Sequence, residues 1–109
     1  MVTATTHEGV TVITVRGHLD DESAPRLTEA LVEAAGNGSA RTVVDLSGTG
    51  FADSSILHAL FDGQKIHSAA GTAFVIAGPL GTAVSRLFDI TGANRALRVA
   101  DSLEIAMTC

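Results

Sequence analysis

The sequence predicts an α/β domain, with a mixed sheet of four to five strands opened by a β-hairpin and continued by alternating helices and strands. Two stretches rich in Thr, Val and Ile, residues 2–7 and 10–16, flank a Glu-Gly pair, which is the pattern of a hairpin closed by a tight turn. Farther along, apolar residues recur at helical spacing between short β-branched runs. The run TAFVIAG (72–78) is apolar throughout, as expected of a strand covered on both faces. Such alternation favours parallel strands joined by right-handed crossovers, with the hairpin adding an antiparallel edge.

Each element has its own justification. After the hairpin, GHLD (17–20) leads into a helix whose stripe is Leu27, Ala30, Leu31, Ala34 and Ala35. Asp21 or Ser23 can cap it, and Pro25 is tolerated in a first turn. GNGS (36–39) ends it, since glycine takes the left-handed conformation found at helix C-termini. TVVDL (42–46) is a short strand, followed by a helix from about 54 to 69. Gly78-Pro79 opens a third helix with Ala83, Val84, Leu87 and Phe88 on one stripe, ending near Gly92. LRV (97–99) reads as a last short strand and SLEIAM (102–107) as a closing helix.

Composition narrows the function. At 109 residues the chain has the length of one domain, domains commonly running to ~100–150 residues, and residues 1–109 are read as one unit. Hydrophobic residues make up 46%, but with no Trp or Tyr and four Phe the core must be built from Val, Ile, Leu and Ala. The net charge of −5 and seven dispersed Lys and Arg residues argue against a nucleic-acid face and provide no basic run for a membrane surface. The single cysteine, Cys109, rules out an internal disulfide framework and a cysteine metal cage. The N-terminus lacks the charged and apolar regions of a signal peptide, and no apolar run approaches the ~18 residues of a spanning helix. A cytoplasmic protein is expected, bound to neither nucleic acid nor membrane.

The chemistry concentrates at GFADSSIL (50–57), where a carboxylate and two hydroxyls interrupt an apolar strand-to-helix junction. GTGFAD (48–53) begins as G-x-G, but Asp53 stands where a third glycine is needed, and no G-K-[ST] follows any glycine cluster. No G-x-S-x-G nucleophile elbow exists. His58 lies within one helical turn of Ser54 and Ser55, but a nucleophile would also need a third group to orient the base, so no catalytic residue is assigned. The four histidines form no i,i+4 pair, His58 and His67 fall on opposite sides of a helix, and Asp20, Asp21 and Glu22 sit at a helix start where the dipole favours them. No metal and no cofactor is expected. Asp53, Ser54 and Ser55 are all good capping residues, more than one cap requires, and a serine at a helix N-terminus is also a favourable site for a phosphate. From the residues alone, capping and regulation both stand.

The stretch VVDLSGTGFADSSILHAL resembles the signature of STAS domains, in particular the bacterial anti-anti-sigma factors, also called anti-sigma factor antagonists. VTVITVRGHLD is similar to that family's second strand and G-x-L-D turn, SAPRLTEAL to its first helix, and RLFDITGANRALRVADSLEIAM to its third helix, L-T-G turn, final strand and closing helix. The resemblance covers essentially the whole chain. It implies the STAS fold and a regulator without catalytic activity. The partner it implies is an anti-sigma factor of the serine kinase type, which phosphorylates Ser55 and then lets go, while a serine phosphatase resets the switch. It implies a partner face of Asp20, Asp53, Ser54, Ser55 and Ile56. An interaction subunit that is not phosphorylated, such as that of a lipid-transport ATPase, is the alternative within the same fold. Ile56 departs from the family's usual glycine after D-S-S and is expected either to narrow a kinase's approach or to anchor a partner. His18 stands where the family often has Glu, and Thr49 and Ala52 where it prefers bulkier apolar residues.

Overall fold

The computed structural model describes residues 1–108, so Cys109 lies outside the described residues. In chain order the elements are β1 (Val2–His7), β2 (Val10–Leu19), α1 (Ala24–Gly36), β3 (Arg41–Ala52), α2 (Ser55–Ala70), β4 (Ala73–Ala77), α3 (Thr82–Thr91), α4 (Ala93–Ala96), β5 (Val99–Ala100) and α5 (Leu103–Thr108). The five strands form one sheet in sequential order. β1 runs antiparallel to β2, and every later neighbour is parallel. The chain thus has the mixed α/β architecture expected from its sequence, a hairpin followed by alternating helices and strands.

The hairpin turn takes positive φ at both Glu8 (51°) and Gly9 (80°), the mirror-image turn whose twist matches that of the flanking strands. Right-handed crossovers that always step in the same direction place their helices on one face of the sheet. That face holds the main core, with Ile13, Val15, Val44, Leu46 and Ile76 packed against Leu27, Leu31, Leu60, Val84 and Phe88. Across the sheet, Val43, Val75, Ala77 and Ala100 form a smaller cluster with Ala106 of α5. α1 and α2 approach so closely that a Cβ built on Gly63 would lie 2.7 Å from Leu31 Cδ1.

Boundaries differ from expectation where pairing is non-local. β3 continues to Ala52 instead of ending at Leu46, because β2 also continues to Leu19 and the two stay paired through register shifts at Thr14/Arg16 and Gly17/His18. Gly17, with φ 82°, provides the irregular backbone. Buried Thr49 keeps its hydroxyl satisfied by donating to the Val15 carbonyl at 2.9 Å. α3 begins at Thr82, after an extended Gly81, and not directly at Gly78-Pro79. The short α4 was not anticipated, since four residues carry too little periodicity to read.

His67 holds α2 to the sheet. It is fully buried, and its Nδ1 donates to the Gly63 carbonyl at 2.7 Å, which fixes the tautomer. Nε2 then accepts from the Thr42 hydroxyl at 2.8 Å. Burial lowers the His67 pKa from its ordinary 6.5, more than the Gly63 bond raises it. The unfolded chain therefore takes up a proton at higher pH than the folded one. This contribution is fully present above pH 6.5 and is lost as the pH falls from there through the lowered folded value. Urea melts at about pH 7.5 and about pH 5.5 should show a loss of stability on acidification that shrinks in His67→Gln. An equal loss in both proteins would rule out His67 as its source.

Candidate functional site at the carboxyl ends of β2 and β3

The site is built from two neighbouring parallel strands that end in register. Leu19 pairs with Ala52, and the next residues on the two strands are Asp20 and Asp53. The Asp53 amide donates to the Leu19 carbonyl at 3.2 Å, holding the two ends together. Each strand end carries the same G-x-x-D frame, Gly17-His18-Leu19-Asp20 and Gly50-Phe51-Ala52-Asp53. Strand alternation sends Leu19 and Ala52 into the core and leaves His18 and Phe51 outside. Phe51 is 49% exposed and meets His18 edge-on at 6.0 Å. The sequence reading missed this pair, although the repeated frame could have revealed it.

Both aspartates organise the helix that follows. Asp20 Oδ1 accepts from the Ser23 hydroxyl at 2.9 Å and from the amides of Ser23 and Glu22, each at 3.1 Å. The Ser23 hydroxyl, followed by the Ser23 amide, holds the Asp20 carboxyl below its ordinary 3.8, so it is ionised at neutral pH. Asp53 Oδ1 accepts from the Ser55 amide at 2.9 Å and from the Ser55 hydroxyl. The acceptor at the start of α2 is therefore Asp53. Ser54 occupies the N-cap position without a side-chain cap bond and stays exposed. Asp53→Ala should cost about 1 kcal/mol, typical of a lost N-terminal acceptor, or a fall in Tm of roughly 4–8 °C. Asp53→Asn should lose less, because its amide oxygen still accepts the Ser55 N–H. Equal melting temperatures for wild type and Asp53→Ala would show that the carboxylate does not support the helix.

The residues singled out from the sequence separate into two groups. Asp20, Asp53, Ser54 and Ser55 come together at one end of the sheet, with Ser54 exposed and Ser55 half-buried. Ile56 does not join them. It is 0% exposed and belongs to the main core, so in this structure its side chain packs inward, away from the surface that carries Ser54. The first turn of α2 carries its side chains to opposite sides, and the apolar one faces inward. Ser55 and His58 both line an open groove of about 510 Å³ between α1 and α2. The Ser55 hydroxyl donates to Asp53 and not to His58. Asp21, Glu29 and Asp62 also line this groove, and no Lys or Arg does. Among the described residues, no group of three or more His, Cys, Asp or Glu side chains is arranged to hold a metal ion. No described helix is long and apolar enough to cross a membrane.

A family model described as "Mlab, STAS domain" matches residues 2–101. The chain belongs to the STAS domain family. No curated protein sequence matches it. Among solved structures, this STAS chain is similar to an anti-sigma factor antagonist from Mycobacterium paratuberculosis, with 27% identity, a TM-score of 0.89, and coverage of 99% of this chain and 91% of that one. It shares its fold with the antagonist SpoIIAA in the unphosphorylated form, at 16% identity and a TM-score of 0.80 over 96% of this chain and 92% of that one. The phosphorylated form of Bacillus SpoIIAA matches at 15% identity and a TM-score of 0.73, with 96% of each chain covered.

Proposed function

We propose that this STAS domain is an anti-sigma factor antagonist. It binds an anti-sigma factor that is also a serine kinase, frees a sigma factor, and is switched off when the kinase phosphorylates Ser55. A serine phosphatase restores the binding form. The likeness to the Mycobacterium paratuberculosis antagonist over nearly the whole chain supports the role. The switch rests on one observation, the Ser55 hydroxyl at the first turn of α2 donating to the Asp53 carboxylate.

That hydrogen bond explains how a phosphate would act. Once Ser55 Oγ is esterified it has no proton to donate, so the bond to Asp53 is lost and two anionic groups stand side by side. The phosphate brings about −1.5 to −2 charges to a surface that already carries Asp20 and Asp53. The Ser55 backbone amide still bonds to Asp53 and the core beneath is apolar, so the fold has no reason to rearrange. The change is one of surface charge and shape, read by whatever docks there. Asp20, Asp53, Ser54 and Ser55 form the partner face, extended by the exposed Phe51 beside His18.

Incubation with the cognate anti-sigma kinase and ATP should add one phosphoryl group, read by intact mass, and Ser55→Ala should abolish it. Peptide mapping that places the phosphate on Ser54 would overturn the assignment. Recovery of a transport ATPase in place of an anti-sigma kinase from a pull-down would favour the subunit that is not phosphorylated.

A further inference from the structure

The opposite end of α2 holds a feature that the Ser55 switch does not use. An open groove of about 670 Å³ lies between the C-terminal half of α2, the start of β4 and the segment joining α4 to β5. Its polar groups are Arg95, Arg98, Ser68, Thr72 and Gln64, and Phe74 supplies an apolar wall. None of its lining residues is acidic, although the chain has twelve carboxylates against seven Lys and Arg. Among the described residues neither guanidinium makes an ion pair, and the only pair present is His7–Glu8. Arg95 and Arg98 are exposed, and among the described residues neither guanidinium makes a hydrogen bond to the protein.

The walls are set in place. Gln64 Nε2 donates to the Ala96 carbonyl at 3.0 Å, bracing α2 against the end of α4. Phe74 packs on the buried His67 ring at 5.0 Å, which limits its movement. The Thr72 amide is tied to the His67 carbonyl at 2.9 Å, and the Arg98 carbonyl accepts from Ile76 at 2.8 Å. The backbone beneath the polar side chains is therefore anchored in the sheet and in α2.

We infer that this groove binds a phosphorylated small molecule, its phosphate on Arg95 and Arg98 and its organic body against Phe74. Guanidinium forks match tetrahedral oxyanions through paired, charge-assisted hydrogen bonds, and the Ser68 hydroxyl offers a further donor, while that of Thr72 already donates to the Ser39 carbonyl. The volume suits a small metabolite, since such sites commonly span about 300–1,000 Å³. The site stands about 20 Å along α2 from Ser55, at 1.5 Å per residue, and does not depend on that serine's modification.

The test is a titration of the isotope-labelled full chain with ribose 5-phosphate, inorganic phosphate, tri-glutamate and sodium chloride at matched ionic strength. Ribose 5-phosphate should give saturable amide shifts centred on Ser68, Thr72, Phe74 and Arg98, with a Kd below about 1 mM. Arg95→Ala/Arg98→Ala should weaken binding at least about tenfold, and Arg95→Lys/Arg98→Lys should recover only part of it because the fork is lost. Both arginines are exposed, so the fold should survive, which unchanged dispersion of the remaining amides will verify. Shifts that never saturate, or that the alanine variant leaves intact, would overturn the site. Equal affinity for inorganic phosphate would remove the organic body from the proposal. Saturation by tri-glutamate alone would replace it with an acidic protein segment.

Discussion

Ser55→Glu is expected to weaken the complex with the anti-sigma factor by about 30-fold or more, the effect of leaving a charge unpaired in an interface, for which about 2–5 kcal/mol is typical. Two effects combine. Glutamate cannot donate the hydrogen bond that Ser55 Oγ makes to Asp53, a smaller loss that it shares with alanine. It also places a second carboxylate beside the first, on a surface that holds an ionised Asp20 on the adjoining strand end. Ser55→Ala should behave differently, since it removes the donor without adding charge, and its affinity should stay near that of wild type. Ser54→Glu is the sharper control. Ser54 is exposed and makes no side-chain bond at the helix start, so a charge there should cost less. Calorimetric titration of the purified pair measures all four proteins. An affinity for Ser55→Glu equal to that of wild type would sink the electrostatic switch, even if Ser55 is phosphorylated.

The second large effect concerns stability. Ile56→Gly should cost about 3–5 kcal/mol. The Ile56 side chain is 0% exposed in the main core, so its removal loses apolar burial and leaves a cavity. Glycine inside a helix costs up to about 1 kcal/mol more through backbone entropy. Domains of this size are stable by about 5–15 kcal/mol, so the loss would be a large share of the total. Ile56→Val should cost only about 0.5–1.5 kcal/mol, because most of the volume remains. Urea unfolding with a common m-value gives the comparison. A glycine variant within about 1 kcal/mol of wild type would show that the first turn of α2 closes over the gap. In this chain Ile56 packs into the core directly beneath the turn that carries Ser55.

Ile56 also marks the limit of sequence reading. Its letter, β-branched and apolar beside two serines, fits an exposed anchor and a buried support equally well. Which it is depends on the rotation of α2 against the sheet, and that rotation is set by distant contacts such as His67 with Thr42. The capping question has the same form. Asp53, Ser54 and Ser55 are all competent acceptors, and the backbone path after Ala52 selects Asp53. Phe51 and His18 lie far apart in the chain and meet only because β2 and β3 remain paired beyond the first register shift.

By itself the sequence determined the order of the five strands and of every helix but α4, the turn at Glu8-Gly9 and the strand-to-helix junction at GFADSSIL. These signals are local, resting on periodicities of two and 3.6 residues and on turn chemistry that a short window contains. Only the tertiary structure decided that Asp20 and Asp53 stand side by side, that Ile56 faces inward, and that Arg95 and Arg98 share a groove with Ser68 and Thr72. The physical reason is register. A shift of one residue between paired strands, or a partial turn of a helix, exchanges which side chains meet while leaving every local propensity unchanged.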